Sequence, residues 1–112
     1  MREIKFFFTL SDSAEDRIRI NAVKDRGKIL KFVVQYESLI KNKWHPIVRY
    51  DNSHGFAHKD IIHPSGLREK QPLYFQTFSA AFTFAIQDLK ISWRWYRAAY
   101  EKELNNEEGN GS

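Results

Sequence analysis

All four histidines of the chain fall within nineteen consecutive residues, and imidazole is the side chain best suited to acid–base chemistry near neutral pH. They are His45, His54, His58 and His63. Basic and acidic residues lie among them, in the stretch W-H-P-I-V-R-Y-D-N-S-H-G-F-A-H-K-D-I-I-H-P. Guanidinium and ammonium groups bind phosphate, and a carboxylate beside an imidazole fixes its tautomer. If the chain is an enzyme, we expect its catalytic groups in this segment.

The combination fits metal-independent cleavage of RNA. That reaction needs a base for the 2′-hydroxyl proton, an acid for the departing 5′-oxygen and cations on the phosphate. We predict that His54 and His58 are the acid–base pair and that Arg49 and Lys59 bind the phosphate. Asp51 or Asp60 could fix the tautomer of an imidazole, and Asp51 is the site candidate. The alternative is a strand end with paired charges, followed by histidines that are surface turn residues.

Nitrogen and oxygen donors for a metal ion occur in the same segment, at Asp51, His54, His58, Asp60 and His63. A His-x3-His spacing puts both rings on one face only in a helix, whereas His54 lies in a turn. Along the following strand, His58 and Asp60 share a face and His63 points to the other. Two or three of these residues could still converge. The spacing matches no known ligand pattern, however, so we predict no metal ligands and no cofactor.

The charge balance favours an anionic partner. Lysine and arginine number 18 against 14 aspartates and glutamates, a formal net charge of +4, and a positive field attracts polyanions. The residues predicted to bind nucleic acid are four cations and one aromatic ring that could stack on a base: Arg17, Arg19, Lys31, Lys59 and Tyr50. Recognition without chemistry, of RNA, DNA or an acidic protein, is therefore an alternative function.

Composition excludes several classes of protein. Without cysteine there are no disulfides, thiolate nucleophiles or iron–sulfur clusters. No apolar run approaches the roughly 18 residues of a membrane span, and no signal-peptide pattern opens the chain. Walker and Rossmann glycine fingerprints and a serine nucleophile elbow are missing from the sequence. We therefore expect a cytoplasmic protein with no membrane partner.

Alternating apolar and polar residues predict that strands position these side chains. The strand-like segments are residues 3–10, 17–24, 30–37, 44–50, 56–63 and 67–71. Short turns between successive segments require antiparallel neighbours, so the strands form a meander. Alternation also puts Arg49 and Asp51 on one face of the sheet and Tyr50 on the other, so one surface cannot fill every predicted role.

Apolar residues at steps of three and four predict one long helix over residues 77–104. Its apolar arc is too wide for a single sheet to cover, so a loop or a partner chain, such as a second copy, must cover the rest. We expect most of the aromatic residues of the helix to pack in the core, and the interface candidates are those of Trp93, Trp95, Tyr96 and Tyr100 that remain exposed. The fold class is α+β: an antiparallel meander of five or six strands with the helix on one face, in a single domain of residues 1–104. The polar residues 105–112 are predicted to form a disordered tail.

Residues 44–73 resemble a small family of uncharacterised prokaryotic proteins, in which a similar R-Y-D-x-x-H-G-F-A-H core precedes a helix rich in tryptophan and tyrosine. The resemblance continues into residues 84–96 and implies no particular activity. More distantly, Arg49-Tyr50-Asp51-Asn52 followed by histidines is similar to TumE-type toxins of toxin–antitoxin pairs. This likeness implies a toxin that acts on RNA and has an antitoxin-like protein partner. The segment after Asn52 and the long aromatic helix depart from the toxin pattern.

The leading hypothesis is a small, basic, toxin-like protein that acts on RNA, with the clustered histidines of a metal-independent ribonuclease. The alternative is a non-catalytic interaction module that binds nucleic acid or protein and forms a homodimer through the aromatic helix.

Overall fold

The computed structural model describes residues 1–110, which form six strands followed by one helix. The elements are β1 (Arg2–Thr9), β2 (Asp16–Asp25), β3 (Lys28–Ile40), β4 (Lys43–Asp51), β5 (His58–Ile62), β6 (Arg68–Pro72) and α1 (Phe78–Asn110). The strands lie in sequence order in one sheet, and every neighbouring pair is antiparallel. The predicted α+β meander with one C-terminal helix is therefore confirmed, with six strands.

Two tight turns set the register of the three longest strands. Arg26 and Gly27 join β2 to β3 with φ angles of 49° and 79°, and Lys41 and Asn42 join β3 to β4 with 53° and 64°. Two-residue turns with positive φ at both positions match the natural twist of a hairpin. Glycine and asparagine adopt this left-handed conformation at low cost, which is why the chain reverses at these points.

α1 packs across one face of the sheet, mainly against β3 and β4. Ala81, Ala85 and Leu89 are completely buried at this contact. The buried sheet residues of the same core include Ile18, Ile20, Phe32, Val34, Tyr36, Val48 and Tyr50. Alternation gives the central strands an apolar side toward the helix and a polar side away from it. One face of the sheet is thus the core, and the other is left for polar side chains.

Hydroxyl groups fix the start of the helix. Thr77 Oγ1 accepts a hydrogen bond from the Ala80 N–H at 3.0 Å, as an N-cap does. Ser79 Oγ instead accepts one from the Ile29 N–H at 3.1 Å, which ties the first helical turn to β3.

The helix continues past its predicted end at Leu104 as far as Asn110. Glu108 forms an ion pair with Lys41 of the β3–β4 turn, so this polar extension contacts the sheet. Residues 105–110 are therefore helical where the sequence predicts a disordered tail, and residues 111–112 lie outside the described residues. Within residues 1–110, no helix is long and apolar enough to cross a membrane.

The four aromatic residues predicted for an interface fall into two groups. Trp93, Tyr96 and Tyr100 are at most 8% exposed and pack on the sheet of their own chain. Their spacing of three and four keeps them on the inward side of the helix. Trp95 lies outside that stripe and is 70% exposed. Of the four, Trp95 is the one available to a partner chain.

Candidate functional site

The face of the sheet opposite α1 is polar, and most of the predicted site residues point to it. We call it the open face; its polar and charged side chains on β2 to β5 include Arg17, Arg19, Lys31, Gln35, Glu37, Arg49, Asp51, His58 and Asp60. Alternation along each strand puts these side chains opposite the core residues. Arg49 and Asp51 share this face, as predicted.

Glu37 organises the β2–β3 part of the open face. This buried carboxylate accepts hydrogen bonds from Arg17 Nε at 2.9 Å, Arg19 Nε at 3.1 Å and Gln35 Nε2 at 2.6 Å. The Arg17 guanidinium also lies over the Trp44 ring, 3.7 Å from its centroid, as in a cation–π contact. Two guanidinium groups on one carboxylate leave a net positive charge that is held in a fixed position.

Asp51, His58 and Asp60, which we call the His58 cluster, lie at the β4–β5 end of the open face. Asp51 is directly opposite His58 in the sheet register, and Asp60 follows on the same side of β5. His58 Nε2 lies 3.2 Å from Asp51 Oδ1 and 3.9 Å from Asp60 Oδ1. All three residues are at most 4% exposed. The hairpin thus brings one imidazole between two buried carboxylates.

Asp51 is held by several donors. Arg49 Nε donates to its Oδ2 at 2.7 Å, and the Ser53 N–H and hydroxyl donate to its Oδ1 at 3.0 and 2.8 Å. Burial by itself would raise the pKa of the Asp51 carboxyl, but the bonds from Arg49 and Ser53 outweigh burial and the pKa is lowered. Asp51 is therefore a carboxylate at neutral pH.

Asp60 is less well satisfied. Its Oδ2 lies 3.5 Å from Arg68 Nη1, beyond the usual range of a hydrogen bond. Among the described residues, its buried Oδ1 has no hydrogen-bond partner. A buried carboxylate oxygen without a donor is uncommon and costs free energy, so this atom requires an explanation.

A depression of about 490 Å³ opens above the His58 cluster between β4, β5 and β6. Its lining residues are Arg49, Asp51, Ser53, His54, His58, Asp60, Arg68 and Lys70. The exposed ring of His54 stacks on the buried ring of His58, with centroids 5.8 Å apart and an interplanar angle of 27°. His54 therefore faces solvent in the depression, whereas His58 lies beneath it.

Arg68, Lys70 and Ser53 join this depression without having been predicted. Lys70 is opposite Asp60 in the β5–β6 register, and Arg68 is two residues away on the same face. The alternation of β6 could have indicated this placement, but only once the register of the β5–β6 hairpin was known.

Tyr50 and Lys59 lie on the helix side of the sheet, so their predicted contact with nucleic acid is corrected. Tyr50 is completely buried and donates to Asp88 Oδ2 at 2.5 Å, so its ring is not available to a base. Lys59 Nζ donates to Tyr96 Oη at 2.5 Å. Burial lowers the pKa of the Lys59 ammonium, although nearby Asp88 opposes this.

The remaining histidines also contact the helix. His45 Nδ1 lies 3.1 Å from Tyr100 Oη. His63 lies between Glu103 at 2.7 Å and Glu69 at 3.0 Å, and the bonds to these two carboxylates raise the pKa of its imidazole. The four histidines thus divide between the two faces, and His54 and His58 are the pair that shares the open face.

A second concavity, of about 320 Å³, lies between α1 and strands β4 to β6 on the helix side. Lys59, His63, Trp95, Tyr96 and Glu103 contribute to its lining. Sequence reasoning did not indicate this cavity, because its lining comes from three strands and the helix, which are distant in the sequence.

One family model, described as a domain of unknown function (DUF7718), matches residues 1–106. The match spans all six strands, every residue of the depression and most of α1. No curated protein and no solved structure matches the chain. The prediction of an uncharacterised family is therefore confirmed, while the likeness to TumE-type toxins stays a prediction.

Proposed function

The chain belongs to the DUF7718 family, and we propose that its open face binds RNA and that the depression is where a phosphodiester bond is cleaved. The observation that carries the proposal is the surplus of cations around an exposed imidazole. The cationic side chains of the open face and the depression named above are Arg17, Arg19, Lys31, Arg49, Arg68 and Lys70. The carboxylates among them are Glu37, Asp51 and Asp60.

The shape of the open face supports a single-stranded ligand. At about 4.8 Å between strands, β1 to β6 span roughly 24 Å, enough for several nucleotides. Phe7 and Phe56 are 56% and 46% exposed, at opposite ends of this surface. Exposed rings among cations are typical of surfaces that stack unpaired bases while basic groups bind the phosphates.

His54 is the acid–base residue of the proposal. Its exposed imidazole takes the proton of the ribose 2′-hydroxyl, whose oxygen then forms a bond to phosphorus. The bond from phosphorus to the 5′-oxygen breaks, and the Lys70 ammonium supplies a proton to this leaving oxygen. The products are a 2′,3′-cyclic phosphate and a 5′-hydroxyl. Arg68 lines the same depression and offsets the charge that develops on the phosphate.

His58 becomes a positioning residue in this scheme. It is 1% exposed, Asp51 faces its Nε2, and the Phe56 carbonyl oxygen lies 3.4 Å from its Nδ1. A ring enclosed in this way does not reach a ribose hydroxyl, whereas it can support His54 from below. Arg49 acts similarly, because its Nε is bound to Asp51.

Labelled RNA incubated with the purified protein in EDTA tests both halves of the proposal. We expect a gel shift that weakens with salt, because phosphate contacts release counterions. Replacing Arg19, Lys31 and Lys70 together by alanine should weaken binding by about tenfold or more. Lys102→Ala is the matched control, since this exposed lysine lies on α1, away from the open face.

Cleavage is tested in the same reactions. We expect products with cyclic phosphate ends, and His54→Ala should abolish them while leaving the gel shift in place. A gel shift without products would support the interaction module instead. Absence of both binding and cleavage would overturn the proposed function.

The toxin hypothesis and a cytoplasmic location belong to this proposal. If the protein cleaves cellular RNA, its expression should arrest growth, and His54→Ala should relieve the arrest. An antitoxin-like partner would then be a protein that covers the open face. Normal growth during expression of an active ribonuclease would remove the toxin part alone.

A further inference from the structure

We propose that Asp51, His58 and Asp60 form a binding site for one divalent transition-metal ion, with its free coordination positions toward the depression. The proposal goes beyond the RNA function, which requires no metal. It also revises the expectation of no metal ligands, which rested on helical spacing. The β4–β5 hairpin brings the same residue types together across two strands instead.

The donor atoms are close enough to share an ion. One ligand atom from each residue lies within 4.8 Å of the other two, and His58 Nε2 is 3.2 and 3.9 Å from the nearer carboxylate oxygens. Around a tetrahedral zinc ion, with bonds of about 2.1 Å, neighbouring ligand atoms are roughly 3.4 Å apart. The two distances from His58 Nε2 are therefore within about 0.5 Å of this spacing.

The oxygen of Asp60 provides an independent reason. Within residues 1–110, Asp60 Oδ1 is buried without a hydrogen-bond partner, and it faces His58 Nε2. The residue itself is 4% exposed, so bulk water does not satisfy it. A cation between this oxygen and the imidazole would remove the unpaired charge.

The surroundings of the cluster resemble those of metal ligands. A ligating histidine usually donates its second ring N–H to a carbonyl or carboxylate oxygen, and the Phe56 carbonyl oxygen lies near His58 Nδ1. In that tautomer the lone pair of Nε2 points at two carboxylates, an arrangement that a cation would stabilise. The carboxylate of Asp51 is likewise held in place by hydrogen bonds, which Arg49 and Ser53 donate.

Three cationic side chains that line the depression would repel a metal ion: Arg49, Arg68 and Lys70. Arg68 is half exposed and only loosely placed against Asp60, so it can withdraw into solvent when an ion binds. Arg49 remains on the second oxygen of Asp51.

The ligand set indicates the kind of ion. One imidazole and two carboxylates suit Mn²⁺ and Zn²⁺, whereas Mg²⁺ and Ca²⁺ prefer oxygen donors and water. We therefore expect Zn²⁺ to bind more tightly than Mn²⁺, and both to bind more tightly than Mg²⁺.

Calorimetric titration of the EDTA-treated, dialysed protein with Zn²⁺ and Mn²⁺ tests the site without any RNA. We expect one Zn²⁺ per chain and a rise in Tm of more than about 4 °C at saturating Zn²⁺. Asp60→Asn keeps the shape of the side chain and should weaken Zn²⁺ binding by about tenfold or more. His63→Gln is the control, because it removes a histidine with two carboxylate neighbours on the other side of β5.

Failure to bind Zn²⁺, or binding that Asp60→Asn leaves unchanged while His63→Gln weakens it, would overturn the site. Nitrogen-15 NMR of the His58 ring gives a second measurement that does not depend on variants. A change in the Nε2 chemical shift of His58 on addition of one equivalent of Zn²⁺ supports the ion, and an Nε2 signal that excess Zn²⁺ leaves unchanged overturns it. A negative result here leaves RNA binding intact, and absence of RNA binding leaves the metal site intact.

Discussion

Two histidines four positions apart in the sequence differ sharply in their exposure to solvent. His54 is exposed, whereas His58 is 1% exposed between two carboxylates. Alternation predicts which face a strand residue occupies, and on that basis Arg49 and Asp51 were correctly separated from Tyr50. Burial depends on what neighbouring strands and the helix place above each residue, and periodicity contains no such information.

The buried hydroxyl of Tyr50 gives a test at this scale. We expect Tyr50→Phe to lower the free energy of unfolding by about 1–3 kcal/mol, because Asp88 loses a buried donor. RNA binding should stay unchanged, since the ring lies on the helix side. Urea denaturation and the gel-shift assay measure the two quantities. Weaker RNA binding by a fully folded Tyr50→Phe protein would contradict this placement.

The imidazole of His63 predicts a pH dependence of stability. Its pKa is raised in the folded state by Glu103 and then Glu69, so its stabilisation is complete below the unfolded pKa of about 6.5. The stabilisation is lost as pH rises through the folded pKa. Glu103→Gln should therefore destabilise the protein at pH values below about 6.5, by at most about 1 kcal/mol because the pair is partly exposed, and much less in alkaline solution.

Urea denaturation of wild type and Glu103→Gln across this pH range measures the difference. Glu107→Gln removes the same charge one helical turn later and is the control. An effect of Glu103→Gln that grows toward alkaline pH would contradict the assignment.

At the scale of elements, the meander and the start of the helix could be predicted because alternation, turn residues and apolar spacing all report local geometry. The end of the helix could not. Residues 105–110 carry no apolar stripe, and one of them, Glu108, is ion-paired with Lys41 in a distant turn. The register that brings Arg68 and Lys70 to the depression was also beyond reach, since β6 is short and completely exposed.

A matched pair on α1 tests how the helix is held. Leu89 is completely buried against the sheet, and Ile91, two residues later, is 79% exposed. We expect Leu89→Ala to lower the free energy of unfolding by about 2–5 kcal/mol and Ile91→Ala to change it by less than about 0.5 kcal/mol. Urea denaturation followed by circular dichroism measures both, and equal effects would contradict the observed orientation of the helix.

At the scale of the whole molecule, the sheet separates an aromatic side from a charged side. The helix side is filled with aromatic rings, while the open face keeps the guanidinium groups, the imidazole pair and the buried carboxylates. The sequence predicts that a loop or a partner chain covers part of the aromatic helix. The sheet covers most of that stripe itself and leaves Trp95 and Ile91 exposed.

Self-association through this exposed part of α1 can be measured directly. We expect a dimer that dissociates on dilution in analytical ultracentrifugation, because Ile91 and Trp95 are both exposed and their i,i+4 spacing places them on one side of the helix. Trp95→Glu should shift the equilibrium toward monomer, whereas Lys102→Ala should not. A wild-type protein that stays monomeric at every concentration would contradict this expectation.

The order of the elements also affects how the chain folds during translation. Each strand pairs with its immediate predecessor, so the sheet can assemble progressively as the ribosome delivers it. α1 follows all six strands, and until it emerges the apolar side of that sheet has no cover. The nascent chain therefore passes through a stage at which chaperone capture is most favourable, and this stage ends when α1 packs on the sheet.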